Sequence, residues 1–149
     1  MDTEIFLPMC YLILWTVVVF LFSTSIRIKE IYLNKFLNKS QVAPEQHRYP
    51  PFQEGSLLLK NAQRNLANLF EFPTLFYAIC IIIYITKKVD TQFIIYAYWF
   101  LYLRIAHSFY HIFFNQLIFK GGFPVRAFIW IPASVILVLM TIKLICSLY

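Results

Sequence analysis

Four stretches of the chain are apolar almost without interruption: "IFLPMCYLILWTVVVFLFSTSI" (Ile5 to Ile26), "FPTLFYAICIIIYI" (Phe72 to Ile85), "FIIYAYWFLYL" (Phe93 to Leu103) and "FIWIPASVILVLMTIKLICSLY" (Phe128 to Tyr149). Crossing about 30 Å of hydrocarbon takes roughly 20 residues of helix. The first and last runs meet that length alone. The middle two meet it only if Leu57 to Glu71 extends one backwards and Arg104 to Phe114 extends the other forwards, and both extensions carry polar side chains into the span. The pattern therefore predicts helices over about 5–28, 56–85, 91–115 and 123–148, within a single domain 1–149. The fold class expected is an all-α integral membrane protein, a bundle of four transmembrane helices.

Boundary signals refine these helices. The segment "NKSQVAPEQHRYPPFQEGS" has prolines, a glycine and no hydrophobic period, so it reads as a loop and a candidate flap over a site. Ser56 is placed to cap the second helix, and "TKKVDT" reads as a tight turn into the third. Gly121 and Gly122 are expected to end helix three, Pro124 to lie in the first turn of helix four, and Pro132 to kink that helix.

Composition supports the membrane reading: of 149 residues, 60% are hydrophobic, 19% aromatic and 13% charged, outside the range of soluble domains. A net charge of +6 in a soluble chain would point to nucleic acid. Here its distribution follows topology, and no nucleic-acid partner is expected. Arg27, Lys29, Lys35, Lys39, Arg48 and Lys60 flank or fill the first connection and Lys120 the third, against Lys87 and Lys88 in the second. The positive-inside bias then puts the first and third connections in the cytoplasm and both termini outside it, at the inner membrane if the source is bacterial. The flank of the first apolar run is acidic (Asp2, Glu4) and no small-residue cleavage site follows it, so a retained helix is expected rather than a signal peptide. Cys10, Cys80 and Cys146 lie singly in apolar runs and read as core or lipid-facing thiols.

The polar residues inside the spans are patterned. Arg64, Asn68 and Glu71 stand at i, i+4, i+7 and Arg104, His107 and His111 at i, i+3, i+7, each set on one helical face. With Arg126 near the start of helix four and Arg27 at the end of helix one, all of them fall in one leaflet. A charge at the bilayer centre costs about 2.5 to 3.5 kcal/mol, so the two stripes are expected to face each other across a shared cavity. Arg64, Arg104 and Arg126 outnumber Glu71, which calls for an anionic ligand. The alternative is a stapled bundle in which Glu71 pairs with Arg64 or Arg104. A metal held by His107, His111 and Glu71 lacks a third His or a Cys and would meet arginine repulsion, so none is predicted. His47, in a polar loop, reads as solvated.

At these positions the chain resembles the membrane-associated proteins of eicosanoid and glutathione metabolism, the MAPEG family. Arg64, Asn68 and Glu71 match its Arg-x3-Asn-x2-Glu pattern, and "NLFEFPTLFY" is similar to bacterial members. "RIAHSFYH" resembles the third-helix segment of the prostaglandin E synthase, and "FPVRAFIWIPAS" the arginine-bearing entry to helix four. The resemblance implies a homotrimer with glutathione as co-substrate, bound between subunits near the cytoplasmic side. It also implies that Arg64, Asn68 and Glu71 hold the peptide, that Arg104, His107 and His111 line the pocket, that Arg27 reaches a carboxylate, and that Arg126 stabilises the thiolate. Ala127 replaces a serine and His111 a tyrosine of the prostaglandin enzyme, and Leu66 and Ala67 replace basic contacts, so prostaglandin synthesis is not expected.

The leading expectation is a glutathione-dependent transferase or peroxidase acting on a lipophilic electrophile or lipid hydroperoxide drawn from the membrane lipids. The alternative is a non-catalytic lipid- or glutathione-binding scaffold of the same fold. A transporter or proton relay would spread polar residues through both leaflets, whereas here the outer half is almost uniformly apolar.

Overall fold

The structure is a computed structural model describing residues 2–30, 55–115, 117–118 and 123–148. A 3-10 turn, Asp2–Ile5, leads into helix α1, Phe6–Ile28; α2 is Leu57–Ile85, α3 is Thr91–Phe113 and α4 is Ala127–Leu148. Before α4, strand β1 (Leu117–Ile118) pairs antiparallel with β2 (Phe123–Pro124).

Each helix buries one stripe at steps of three and four residues. On α1 it is Met9, Leu12, Thr16, Val19 and Ser23; on α4 it is Ala133, Leu137, Met140 and Leu144. The opposite faces are apolar as well: Leu14, Leu21, Leu75, Trp99, Phe109, Phe128 and Val138 are all exposed. Such a surface would aggregate in water; in lipid it is the solvent-facing side. Segments Thr3–Ile28, Leu57–Ile85 and Ala127–Leu148 are long and apolar enough to cross a membrane. The third helix, α3, has the 23 residues of α1, about 34 Å at 1.5 Å per residue, but its Tyr, Trp, Arg and His residues lower its hydropathy. It packs most extensively along α4, and its polar groups turn into the bundle, where Arg104, His107, Ser108 and His111 are buried. The protein is thus an integral membrane helical bundle.

The bundle interior is divided. Towards the α2–α3 turn it is apolar, with Phe76, Cys80 and Ile83 of α2 beside Phe93, Ala97 and Phe100 of α3, and the Phe76 and Phe100 rings stack at 4.4 Å. Towards the other end the same buried stripes become polar, with Asn61 and Asn65 on α2 and Arg104, His107, Ser108 and His111 on α3.

Side-chain contacts close both ends. Asp90 caps α3 by accepting from the Phe93 N–H at 2.8 Å and pairs with Lys143 of α4 at 2.5 Å. The Phe6 ring of α1 meets Tyr84 of α2 at 4.6 Å, so both termini lie at this end of the bundle. At the other end Ser56 caps α2, as its sequence position predicts, accepting from the Leu59 N–H at 3.1 Å. The Glu30 carboxylate, just past α1, accepts from the Ser56 N–H at 3.0 Å and from its hydroxyl. That places a negative charge where the α2 dipole favours one.

Partial burial pushes the Asp90 carboxyl up, but the hydrogen bonds from Lys143 and the Phe93 N–H, with the Lys143 charge, outweigh it and hold the group below its usual range. Because the folded value is the lower one, the pair stabilises the fold above the ordinary carboxylate range, about pH 3.9, and that contribution is lost as pH falls through the folded value. Half the Asp90 side chain is exposed, so the contribution is at most about 1 kcal/mol. Asp90→Asn is therefore expected to lower thermal stability at neutral pH and to match the unmodified protein in strong acid. An equal deficit at both pH values would show that the charge of Asp90 is not the cause, since asparagine caps a helix as well as aspartate.

The third connection departs from expectation. Helix α3 ends at Phe113, its C-cap is Phe114, and Asn115 has φ 39, a left-handed conformation that asparagine tolerates better than most residues. Helix α4 begins at Ala127, not near residue 123, because Phe123 and Pro124 pair in register with Ile118 and Leu117. Pro124 is thus a strand residue and does not start the helix. Helix α4 continues through Pro132. The candidate flap up to residue 54, His47, Gly121 and Gly122 lie outside the described residues.

Candidate functional site

The two polar stripes do not confront each other inside one chain. On α3, Arg104, His107 and His111 are buried, at 0%, 3% and 2% exposure. On α2, Arg64 and Glu71 are exposed on the outer surface and Asn68 is half-buried. The reason is rotational: Asn61, Ala62, Asn65 and Leu69 occupy the face of α2 that packs inward, and each residue along a helix turns about 100°, so Arg64 stands well aside from Asn65. Nor is the bundle stapled by Glu71: among the described residues the ion pair is that of Lys143 with Asp90, and Glu71 has none.

What α2 gives Arg104 is backbone. Arg104 Nη2 donates to the Asn68 carbonyl at 3.0 Å, and its guanidinium lies 5.4 Å from the centre of the Phe72 ring. Phe72 in turn stacks on Phe100 at 6.1 Å and meets Trp130 of α4 at 5.6 Å, so an aromatic column from three helices carries the buried charge. The rings of His107 and His111 are 5.8 Å apart. Among the described residues, Arg104 Nε and Nη1, His107 Nδ1, His111 Nδ1 and Asn65 Oδ1 are buried without a hydrogen-bond partner. No group of three His, Cys, Asp or Glu there is placed to hold a metal ion.

Arg126 is half-buried in the turn before α4, its carbonyl accepting from the Trp130 N–H at 3.0 Å. Its Nη1 donates to Asn115 Oδ1, Asn115 Nδ2 donates to Asn61 Oδ1 at 2.9 Å, and Asn61 Nδ2 donates to the Ile112 carbonyl at 3.4 Å. Asn65 Nδ2 donates to Ser108 Oγ at 2.5 Å. Arg104 and Arg126 are therefore both held at the polar end, while Arg64 stands on the outer surface.

On that surface a groove of about 410 Å³ runs between α1 and α2. Ser23, Thr24 and Arg27 line it from α1 and Gln63, Arg64 and Ala67 from α2, and the buried Gln63 Oε1 has no partner among the described residues. The groove brings together Arg27 and Arg64, which the sequence placed only in the same leaflet. An apolar groove of about 340 Å³, with Ile13, Val17 and Leu69, continues from it and shares Phe20 and Phe70.

Gln63, Asn61, Asn65, Ser108 and Asn115 were not among the sequence-derived candidates. The signal for two of them was present: Asn61 and Asn65 are one turn apart and lie in the buried register of Leu69, Phe76, Cys80 and Ile83. The charged stripe beside them, at the same spacing, masks it.

A family model, that of the MAPEG family, matches residues 5–146. The chain has no match among curated proteins or among solved structures. The matched segment contains every residue of the polar end and both sides of the groove, and on that extent the chain belongs to the MAPEG family.

Proposed function

We propose that the protein is a glutathione-dependent membrane transferase or peroxidase acting on lipophilic electrophiles through an arginine-stabilised thiolate. The MAPEG family includes glutathione transferases and peroxidases as well as non-catalytic members. The observation that carries the enzymatic reading is the α1–α2 groove, which Arg27 and Arg64 line together. Its polar groups suit the peptide: Arg27 and Arg64 two carboxylates, and Gln63 Oε1, without a partner among the described residues, an amide N–H; Glu71, exposed two turns further along α2, suits an ammonium. Bound glutathione would supply the nucleophilic sulfur. Arg126 supplies permanent positive charge, with N–H groups beyond the one committed to Asn115. The apolar continuation past Phe20 and Phe70 offers a lipophilic partner a way in from the bilayer.

The direct test is to purify the protein in detergent and supply an aryl halide or a lipid hydroperoxide. Conjugation or reduction that requires glutathione is expected. Glutathione binding with no turnover on either substrate would favour the scaffold reading instead.

The same surface supports a homotrimer, since Arg64 and Glu71 are exposed among lipid-facing side chains and need a neighbouring subunit over them. Native mass spectrometry from mild detergent is expected to give three copies per particle. A folded, active monomer would sink that assignment.

Glu71→Gln is expected to weaken glutathione binding by about 1.5 to 3 kcal/mol, the value of a hydrogen bond to a charged group, and to leave stability nearly unchanged. Among the described residues its exposed carboxylate makes no ion pair that Gln would break. Unfolding of the variant, with unaltered affinity in the folded fraction, would contradict this role.

A further inference from the structure

We infer that Asn115 and Asn61 are positioning residues that fix the Arg126 guanidinium, by an amide relay running from α2 through the end of α3 to the start of α4. The inference rests on the reading of Arg126 as the thiolate-stabilising group, and it concerns how that group is held.

Four observations converge. Arg126 lies in a turn outside the helix proper, where neither helix packing nor an acidic partner among the described residues sets its side chain. It donates through Nη1 to Asn115 Oδ1. Asn115, in turn, donates at 2.9 Å to Asn61 Oδ1. Asn61 is 4% exposed and is anchored by its own donation to the Ile112 carbonyl.

The chemistry of the middle position is restrictive. The side chain at 115 must present an acceptor to the arginine and a donor to Asn61, and among short side chains a carboxamide does this with distinct atoms in fixed geometry. The backbone at 115 must also be left-handed, with its N–H returned to the Tyr110 carbonyl at 3.0 Å. Asparagine meets both demands. Neutrality matters as much as reach: a neutral acceptor orients the guanidinium and leaves its charge uncompensated, whereas a carboxylate there would form an ion pair and cancel the field that the thiolate needs.

Variants at 115 separate these roles. Glycine adopts the left-handed backbone at no cost, so Asn115→Gly removes the amide without disturbing the turn. Asn115→Asp keeps the shape and adds charge. Asn61→Ala cuts the relay at its far end.

The experiment compares these three with the unmodified protein in lipid nanodiscs by two measurements. One is the rate at which phenylglyoxal, an arginine-specific reagent, labels Arg126 without glutathione, followed by mass spectrometry. The other is the pH midpoint of the ultraviolet thiolate band with saturating glutathione.

Asn115→Gly and Asn61→Ala are expected to speed Arg126 labelling several-fold and to raise the thiolate midpoint by about one unit, a tenfold fall in the ratio of thiolate to thiol. Asn115→Asp is expected to slow labelling below the unmodified rate while raising the midpoint further. Opposite labelling effects of Gly and Asp at one position are not produced by a merely structural role. Unchanged labelling in both would overturn the relay. Labelling that responds as described while the unmodified protein forms no thiolate would uphold the relay and remove the glutathione reading.

Discussion

Arg126→Gln is expected to leave glutathione bound but to abolish its thiolate absorbance and slow turnover about ten- to a thousandfold, equivalent to about 1.4 to 4 kcal/mol of barrier. Free thiols titrate near 8.5, so only a few per cent is ionised at neutral pH, and the thiolate is the nucleophile. A fixed positive charge within about 4 to 6 Å lowers a partner's pKa by roughly 1 to 3 units. Arginine keeps its charge under all working conditions. The start of α4, the positive end of its helix dipole, adds field of the same sign. Gln retains a hydrogen-bond donor and the approximate reach, so binding through the carboxylates should survive. The checks are the ultraviolet difference spectrum and steady-state rates over a range of glutathione concentrations. Arg104→Gln, by contrast, should mainly raise the glutathione requirement, because Arg104 is buried among Phe72 and the Asn68 carbonyl on the interior side. A normal thiolate band in the Arg126 variant would move the chemistry to α3.

Phe76→Ala is expected to destabilise the bundle by about 3 to 5 kcal/mol, the usual cost of removing a buried phenyl ring without refilling its volume. Phe76 has 0% exposure and stacks on Phe100 with the ring planes at 17°. Phe100 stacks on Phe72, which lies beside the Arg104 guanidinium, so the loss should pass along the column to the site. Phe76→Leu, which keeps most of the volume, should cost less than half as much. Unfolding in mixed micelles of increasing SDS fraction measures both. Glutathione affinity in Phe76→Ala, measured where the protein is still folded, should fall as Arg104 loses its support. A variant as stable as the parent would show that α2 and α3 repack around the gap and that the column has no stiffness to transmit.

The helices were legible in the sequence because hydropathy and the 3.6-residue period are local properties. The predicted spans of about 5–28 and 56–85 compare with helices at Phe6–Ile28 and Leu57–Ile85, and Ser56 caps where its hydroxyl stands in the chain. The third connection is less legible, because glycine and proline near residues 121 to 124 are stronger sequence signals than Asn115, whose left-handed backbone follows the end of α3 at Phe113. Pairing of β1 with β2 then moves the start of α4 to Ala127, a pairing with no hydrophobic period to announce it.

By itself the sequence determined that this is a four-helix membrane chain of the MAPEG pattern, with its polar groups at one end of the helices. It also determined which of those groups share a face of their own helix, since that follows from spacing alone. Only the tertiary structure decided which way each face turns. Arg104, His107 and His111 point into the bundle, while Arg64 and Glu71 point out of it and the unheralded Asn61 and Asn65 take the inward face of α2. The physical reason lies in the solvent. In water an apolar face must be the buried one, but lipid accepts apolar side chains on every side, so hydropathy does not fix the rotation of a helix about its axis. That rotation is set by the packing of Phe72, Phe76 and Phe100 and by the hydrogen bonds of Asn61, Asn65 and Asn115, contacts between residues far apart in the chain.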